Sequence, residues 1–267
     1  IMISFSSFSF LPFILTLFVL YYFAVKNSTR LQNLLLLLAS ISFITLNDYK
    51  SAVIITVSGF VNFLLIQQMH KLTEGRAKKM LFYTGCILNI FILVYFKYAQ
   101  ELISAIRSVF AMDQTIPSHF FLPLGISFFT FQLIGYWIDV YNEETSPENN
   151  PLHFAIYLFY FPKLISGPIE KIQQFTPQLK NARQLNTTII TDGLRQFLWG
   201  AFKKLVVSAQ CLAFYKGLYI QPDDISAVNL TLAAIMHMVY IYADFSGYSD
   251  MACGISSVLG IRITNNF

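Results

Sequence analysis

Apolar runs close to the ~20 residues that a helix needs to cross the hydrocarbon core of a bilayer recur from one end of this chain to the other. They fall at about 8–25, 31–47, 51–69, 80–98, 120–141, 152–167, 196–220 and 228–260, and polar or basic connectors such as "KNSTR", "NDYKS", "HKLTEGRAKK" and "NEETSPENNP" separate them. Hydrophobic residues make up 55% of the 267 and charged residues only 12%, about half the charge of an average soluble domain. No soluble core absorbs that much apolar surface, so lipid is the natural solvent. The expectation is an all-α polytopic transmembrane helical bundle with seven or eight membrane segments and no soluble domain boundary. The first run, "FLPFILTLFVLYYFAV", has no small-residue cleavage site after it and reads as a span, not a signal peptide.

Two breaks in the pattern carry information. In "YLFYFPKLISGPIEK" Pro162 and Pro168 flank a lysine, Lys163. Proline removes a backbone donor and clashes with the preceding turn, so a re-entrant or broken element enclosed by protein is expected here. The stretch from Val228 to Ile263 exceeds one crossing, and Gly247, Gly254 and Gly260 offer places to bend.

The formal charge of +4 is modest and its lysines and arginines sit in short connectors without interleaved aromatics, so nucleic acid is not an expected partner. Lys71, Arg76, Lys78 and Lys79 share one connector and Lys171, Lys180 and Arg183 another, whereas "AMDQTIPSH" and "QPDDIS" hold no Lys or Arg. The positive-inside rule makes the first two cytoplasmic, along with Lys26 and Arg30, and places the N-terminus outside. Cys86, Cys211 and Cys253 lie singly in apolar sequence and read as buried thiols. No metal-binding, nucleotide-binding or nucleophile-elbow motif is present, so neither a metal nor a bound cofactor is expected.

The segment "YIYADFSGYSDMACG", Tyr240 to Gly254, concentrates polar groups at membrane depth. On an ideal helix His237, Asp244 and Tyr248 form one stripe, with Ser246 and Asp250 away from it, so the element either bends at Gly247 or is enclosed on all sides. Buried acids of this kind mark a functional site that faces a polar cavity. They also suit ion pairs with Lys203, Lys204 or Arg195 that lock helices together, and the two readings are compatible. His237, between Met236 and Met238, suits an acid/base role or a hydrogen-bonded structural one.

"LPLGISFFTFQLIGYWIDVY", "FPKLISGPIEK", "GAFKKLVV" and "YIYADFSGYSDMACG" occur in the order and approximate spacing of membrane-bound O-acyltransferases, and "LQNLLLLLASISF" resembles that family's second span. The chain looks closest to the bacterial branch of alginate O-acetyltransferase and the D-alanyl transfer protein of teichoic acid modification. The resemblance implies a helical fold around a tunnel, in which an acyl group passes from a cytoplasmic thioester, acyl-CoA or an acyl-carrier protein, to a hydroxyl of an exported polysaccharide or other envelope acceptor. It implies a multi-pass protein of the inner or plasma membrane. A donor or carrier protein on the cytoplasmic side and an extracellular or periplasmic acyltransferase are the implied partners.

In that branch a general-base histidine sits in a Trp-His block shortly after a stretch resembling "LGIRITNNF". None of the four histidines here matches it, so the resemblance implies the N-terminal portion of a longer enzyme. "ADFSG" replaces the usual aromatic before the Asp, and "VVSAQ" stands where an acidic residue often follows "FKK". By the same resemblance Asp244 and Asp250 are supporting catalytic candidates, and Ser246, Gly247, Tyr248 and Ser249 would line the tunnel. Gly167, Pro168 and Lys171 would shape its cytoplasmic mouth, Lys171 facing an anionic carrier, although a purely structural turn fits "SGPIEK" equally. A secondary transporter relaying ions through Asp244 and Asp250, or a non-catalytic scaffold, are the competing functions.

Overall fold

The computed structural model describes residues 4, 5, 7–109, 121–219 and 226–267, among which there is no strand. Helix α1 (Phe10–Val19) runs into a π-helical turn (Leu20–Ala24) and is followed by α2 (Thr29–Lys71), α3 (Arg76–Val109) and α4 (Ile126–Tyr141). Three short helices come next, α5 (Pro151–Phe159), α6 (Phe161–Leu164) and α7 (Ile172–Phe175), the last continuing as a 3-10 turn to Leu179. Helix α8 (Thr187–Phe202) passes through a π-helical stretch, Lys203–Ser208, into α9 (Ala209–Tyr219), and α10 (Ala227–Val258) completes the order. Among the described residues four helical stretches are long and apolar enough to cross a membrane: Thr29–Lys71, Arg76–Ile106, Thr187–Gly217 and Ala227–Val258. The protein is an all-α, multi-pass membrane bundle. The connectors "AMDQTIPSH" and, but for Ser226, "QPDDIS" lie outside the described residues.

The runs expected at 31–47 and 51–69 are joined in α2, whose 43 residues would span about 65 Å at ~1.5 Å per residue, over twice the bilayer core. Asp48 divides them. Its backbone leaves the helical region (φ −164°, ψ 102°), and its carboxylate accepts from the amides of Lys50 (3.2 Å) and Ser51 (3.3 Å). A polar side chain thus caps the second half where the first half ends.

The chain forms two compact units. One comprises 33–165 and 169–181. Here the break expected at Pro162 is present: α5 ends at Phe159, and α6 is a single turn with Pro162 in its opening positions. Backbone groups at membrane depth cannot turn to water, so side chains answer them. Ser40 Oγ accepts from the Phe161 amide (3.2 Å), Gln132 Nε2 donates to the Tyr157 carbonyl (2.8 Å), and the Tyr157 hydroxyl donates to the Glu170 carbonyl (2.9 Å). Lys163, 2% exposed, places Nζ 4.1 Å from the Tyr157 ring centroid and 4.5 Å from that of Phe175. A polar lock joins α2, α3 and α4, in which Asn62 Oδ1 accepts from both Trp137 Nε1 and Asn89 Nδ2 at 2.7 Å.

The other unit comprises 1–32, 166–168 and 182–267. Its α10 runs unbroken through Gly247 and Gly254 and ends before Gly260, whose positive φ (+73°) suits a residue without Cβ. Of the bends expected at three glycines, only that at Gly260 terminates the helix. Around this end Gln32 exchanges two hydrogen bonds with the Arg183 backbone, at 2.8 and 2.9 Å, and Tyr22 donates to the Val258 carbonyl at 2.8 Å. Arg183 is therefore buried and bonded to Tyr21, not a free loop charge.

Candidate functional site

The site begins with four glycines. Gly193 and Gly200 are seven residues apart on α8, and Gly247 and Gly254 are seven apart on α10. A Cβ on Gly193 would stand 2.7 Å from the Gly254 carbonyl oxygen, and one on Gly254 2.5 Å from that of Gly193. Gly200 and Gly247 oppose each other in the same way, at 2.6 and 2.8 Å. The pairing order makes the helices antiparallel, in backbone-to-backbone contact over about two turns. Between helices in lipid the hydrophobic effect supplies no attraction, so close van der Waals approach over small residues is what holds such a seam.

That approach sets charges at its edge. A Cβ on Gly200 would come within 2.8 Å of Asp250 Cβ, so the acid emerges directly against α8. Lys203 Nζ lies 2.7 Å from Asp250 Oδ2, and Gln196 Nε2 is 3.5 Å from Oδ1. The next residue, Lys204, bonds Asp244 at 2.5 Å. Two consecutive lysines on an α-helix diverge by about 100°. Both reach α10 from a π-helical stretch, whose i→i+5 bonds widen the turn and bring successive side chains nearer one side. The two pairs differ in exposure: the Asp250 side chain is 7% accessible and that of Asp244 42%. Only the first is a buried pair, and the ion-pair reading of both acids describes their geometry.

Beside Asp250 the helix carries hydroxyls. Ser246, Ser249 and Ser256 are each at most 1% exposed, and their Oγ atoms have no hydrogen-bond partner among the described residues. With Cys253 they occupy an arc of about 80° on α10. The C-terminal segment returns along this arc. Thr264 O lies 3.6 Å from Cys253 Sγ, and the Phe267 ring meets Tyr242 and Phe245 edge-on at 5.7 and 5.6 Å. Tyr248 stacks on Phe5 at 5.0 Å. Ser256 and Gln196 were not singled out from sequence. The i, i+3, i+10 spacing of the serines was the available signal for the first, whereas Gln196 is recognisable only once α8 lies on α10.

His237 packs against Tyr215 of α9 (4.5 Å between ring centroids) and Tyr240 (5.8 Å), with Nδ1 unbonded among the described residues. Gly167 and Pro168 belong to the unit that contains the seam and Lys171 to the other. The Lys171 ammonium donates to Asp139 (3.0 Å) and Glu144 (3.2 Å), and the bond to Asp139 is the chief cause that raises its pKa above the ordinary lysine value. Its charge is thus already answered by two carboxylates. Among the described residues no three His, Cys, Asp or Glu side chains group as a metal site.

No family model matches the chain. It is 33% identical over 266 residues to a probable alginate O-acetylase, AlgI, of Pseudomonas syringae pv. tomato, covering 97% of this chain and 49% of the relative. To the peptidoglycan O-acetyltransferase of Helicobacter pylori it is 30% identical over 271 residues, 91% of this chain and 51% of that protein. A teichoic acid D-alanyltransferase of Bacillus subtilis matches at 25% over 151 residues, 54% of this chain and 37% of the relative. The chain belongs to the membrane-bound O-acyltransferase family. It spans about half the length of the O-acetylases it matches over most of its own length. The blocks that carry the family resemblance have distinct places in this chain. "GAFKKLVV" is the end of α8 with its π-helical stretch, "YIYADFSGYSDMACG" is the C-terminal half of α10, and "FPKLISGPIEK" is the broken element.

Proposed function

We propose that this protein is part of a membrane-bound O-acyltransferase that passes an acetyl or similar short acyl group from a thioester donor to a hydroxyl of a cell-envelope polysaccharide. The observation that carries the reading is the α8–α10 seam. A buried carboxylate, Asp250, is fixed by Lys203 beside serine hydroxyls with unused hydrogen-bonding capacity, which suits the recognition of a hydroxylated acceptor in a place shielded from water. The names of the relatives support the same chemistry: O-acetylase, O-acetyltransferase, D-alanyltransferase.

In this reading the serines receive the acceptor and Asp250 is a positioning residue. The nucleophile is the acceptor oxygen. As it attacks the thioester carbonyl its proton passes to a general base, the C–S bond breaks, and the thiol leaves. The base implied by the resemblance matches none of this chain's histidines, so the reaction is proposed for the polypeptide that carries it. Acyl-CoA or an acyl-carrier protein supplies the donor on the cytoplasmic side, the connector 71–79 lies on that side of the inner or plasma membrane, and an extracytoplasmic acyltransferase is the downstream partner.

The test uses the complete reading frame in sealed proteoliposomes with radiolabelled acetyl thioester on one side and polysaccharide on the other. Label should reach the polysaccharide as an ester released by mild base. Label that stays with the donor, or crosses without ester formation, rejects the reading, and the second result favours a transporter.

A further inference from the structure

At the turn between α2 and α3 a cavity of about 490 Å³ opens to solvent, bordered by Glu74, Lys78, Lys79, Tyr141, Asn142 and Glu143. It is remote in sequence from the seam, and the proposed acyl transfer makes no use of it. Its lining carries two ammonium groups and two carboxylates, with a phenol and an amide between them. Lys78 is 8% exposed, its Nζ 2.8 Å from Glu143 Oε1 and 5.9 Å from the centroid of the Tyr141 ring. Glu143 itself has φ +61°, the one positive φ outside glycine among the described residues. Such a backbone is costly for a residue with Cβ, and here it accompanies the ion pair of Glu143 with Lys78 at the cavity wall. Lys79 and Glu74 are exposed at the rim, Glu74 within electrostatic reach of Lys78.

The balance of charge narrows what fits. A simple anion would meet two carboxylates and a simple cation two ammonium groups. A zwitterion with separated charges meets a partner at each end. The location narrows it further: the second half of α2, about 23 residues, spans ~34 Å and ends at Lys71, and α3 starts back at Arg76, so the cavity lies where two spanning helices leave the hydrocarbon. The volume falls within the range of small-ligand sites. We propose that this cavity binds the phosphoethanolamine headgroup of a membrane phospholipid, with Lys79 taking the phosphate and Glu74 the primary ammonium on either side of the Lys78–Glu143 pair. A choline headgroup has no N–H to give the carboxylates, and a glycerol headgroup has no cation.

The experiment uses the purified, delipidated protein in mild detergent, with bound lipid counted by native mass spectrometry and stability followed by thermal unfolding. Phosphatidylethanolamine should bind more tightly than phosphatidylcholine or phosphatidylglycerol. Glu74→Gln and Lys79→Gln, both at exposed positions that leave the fold intact, should each weaken it by about fivefold or more. If phosphatidylglycerol binds at least as well and Glu74→Gln strengthens it, the site is one for anions and the proposal fails. Equal binding of all three lipids, unmoved by either substitution, overturns it as well. Soluble phosphoethanolamine that stabilises as strongly as the lipid at equal concentration would move the assignment from a lipid to a free metabolite.

Discussion

The side chain of Asp250 is 7% accessible, and a carboxylate buried that far is costly to leave without its cation. This makes Asp250 and Lys203 a unit. Asp250→Asn strands the lysine and should lower thermal stability by about 2 kcal/mol or more. Asp250→Asn combined with Lys203→Met removes both charges and should recover most of that loss. If Asp250 also positions an acceptor, acyl transfer by the complete enzyme stays at least about tenfold down in the double variant, a loss of ~1.4 kcal/mol in transition-state stabilisation. Recovery of specific activity along with stability would reduce the pair to a structural tie. The acids and their lysine partners were legible in the sequence because charges within apolar runs have few ways to be satisfied. The partners of Lys171 were not legible by that route: Asp139 and Glu144 lie at and just past the end of α4, about thirty residues away in sequence, which no local pattern announces.

At the scale of elements, the helices themselves could be read from apolar runs, but their use of glycine could not. Gly247 and Gly254 looked like hinges because glycine inside a helix weakens it. The matching interval on α8 shows instead that the four residues are spent on proximity. Gly200→Ala would push a methyl to 2.6 Å from a carbonyl oxygen and should cost about 1–3 kcal/mol through overpacking. Gly217, in α9, has nothing within 4 Å of a built Cβ, so Gly217→Ala should be neutral or stabilising by up to ~1 kcal/mol through helix propensity. Thermal melts of the two variants in one detergent make the comparison. Equal losses would mean that the seam is not in backbone contact. The break at Pro162 was foreseeable because proline acts locally, whereas the bonds that satisfy the opened backbone, from Ser40 and Gln132, depend on tertiary placement.

For the whole molecule, composition alone settled the solvent, and many large apolar side chains remain exposed on the long helices, as Phe60, Ile87, Leu198 and Met238 do, which suits contact with lipid tails. Orientation rests on charge counts, and the structure withdraws one of them by burying Arg183. The connector 71–79 keeps its basic residues. With a thiol-free background, a cysteine at Thr73 should be protected from impermeant maleimide on intact cells and one at Asp223 labelled. The opposite pattern inverts the topology and with it the side from which donor is proposed to enter.

The glycine interval also has a geometric meaning. Repeating it once more past the Gly200–Gly247 contact would call for glycine at positions 207 and 240, where the chain has Val207 and Tyr240. Side chains of that size require an ordinary axial separation of about 8–10 Å instead of backbone contact. Beyond the second glycine contact the two helices stay packed but meet through side chains, closed on backbone at one end and spaced by side chains at the other. Lys203, Lys204 and Asp244 sit just past the closed portion. The two ion pairs therefore stand where the spacing between the helices changes.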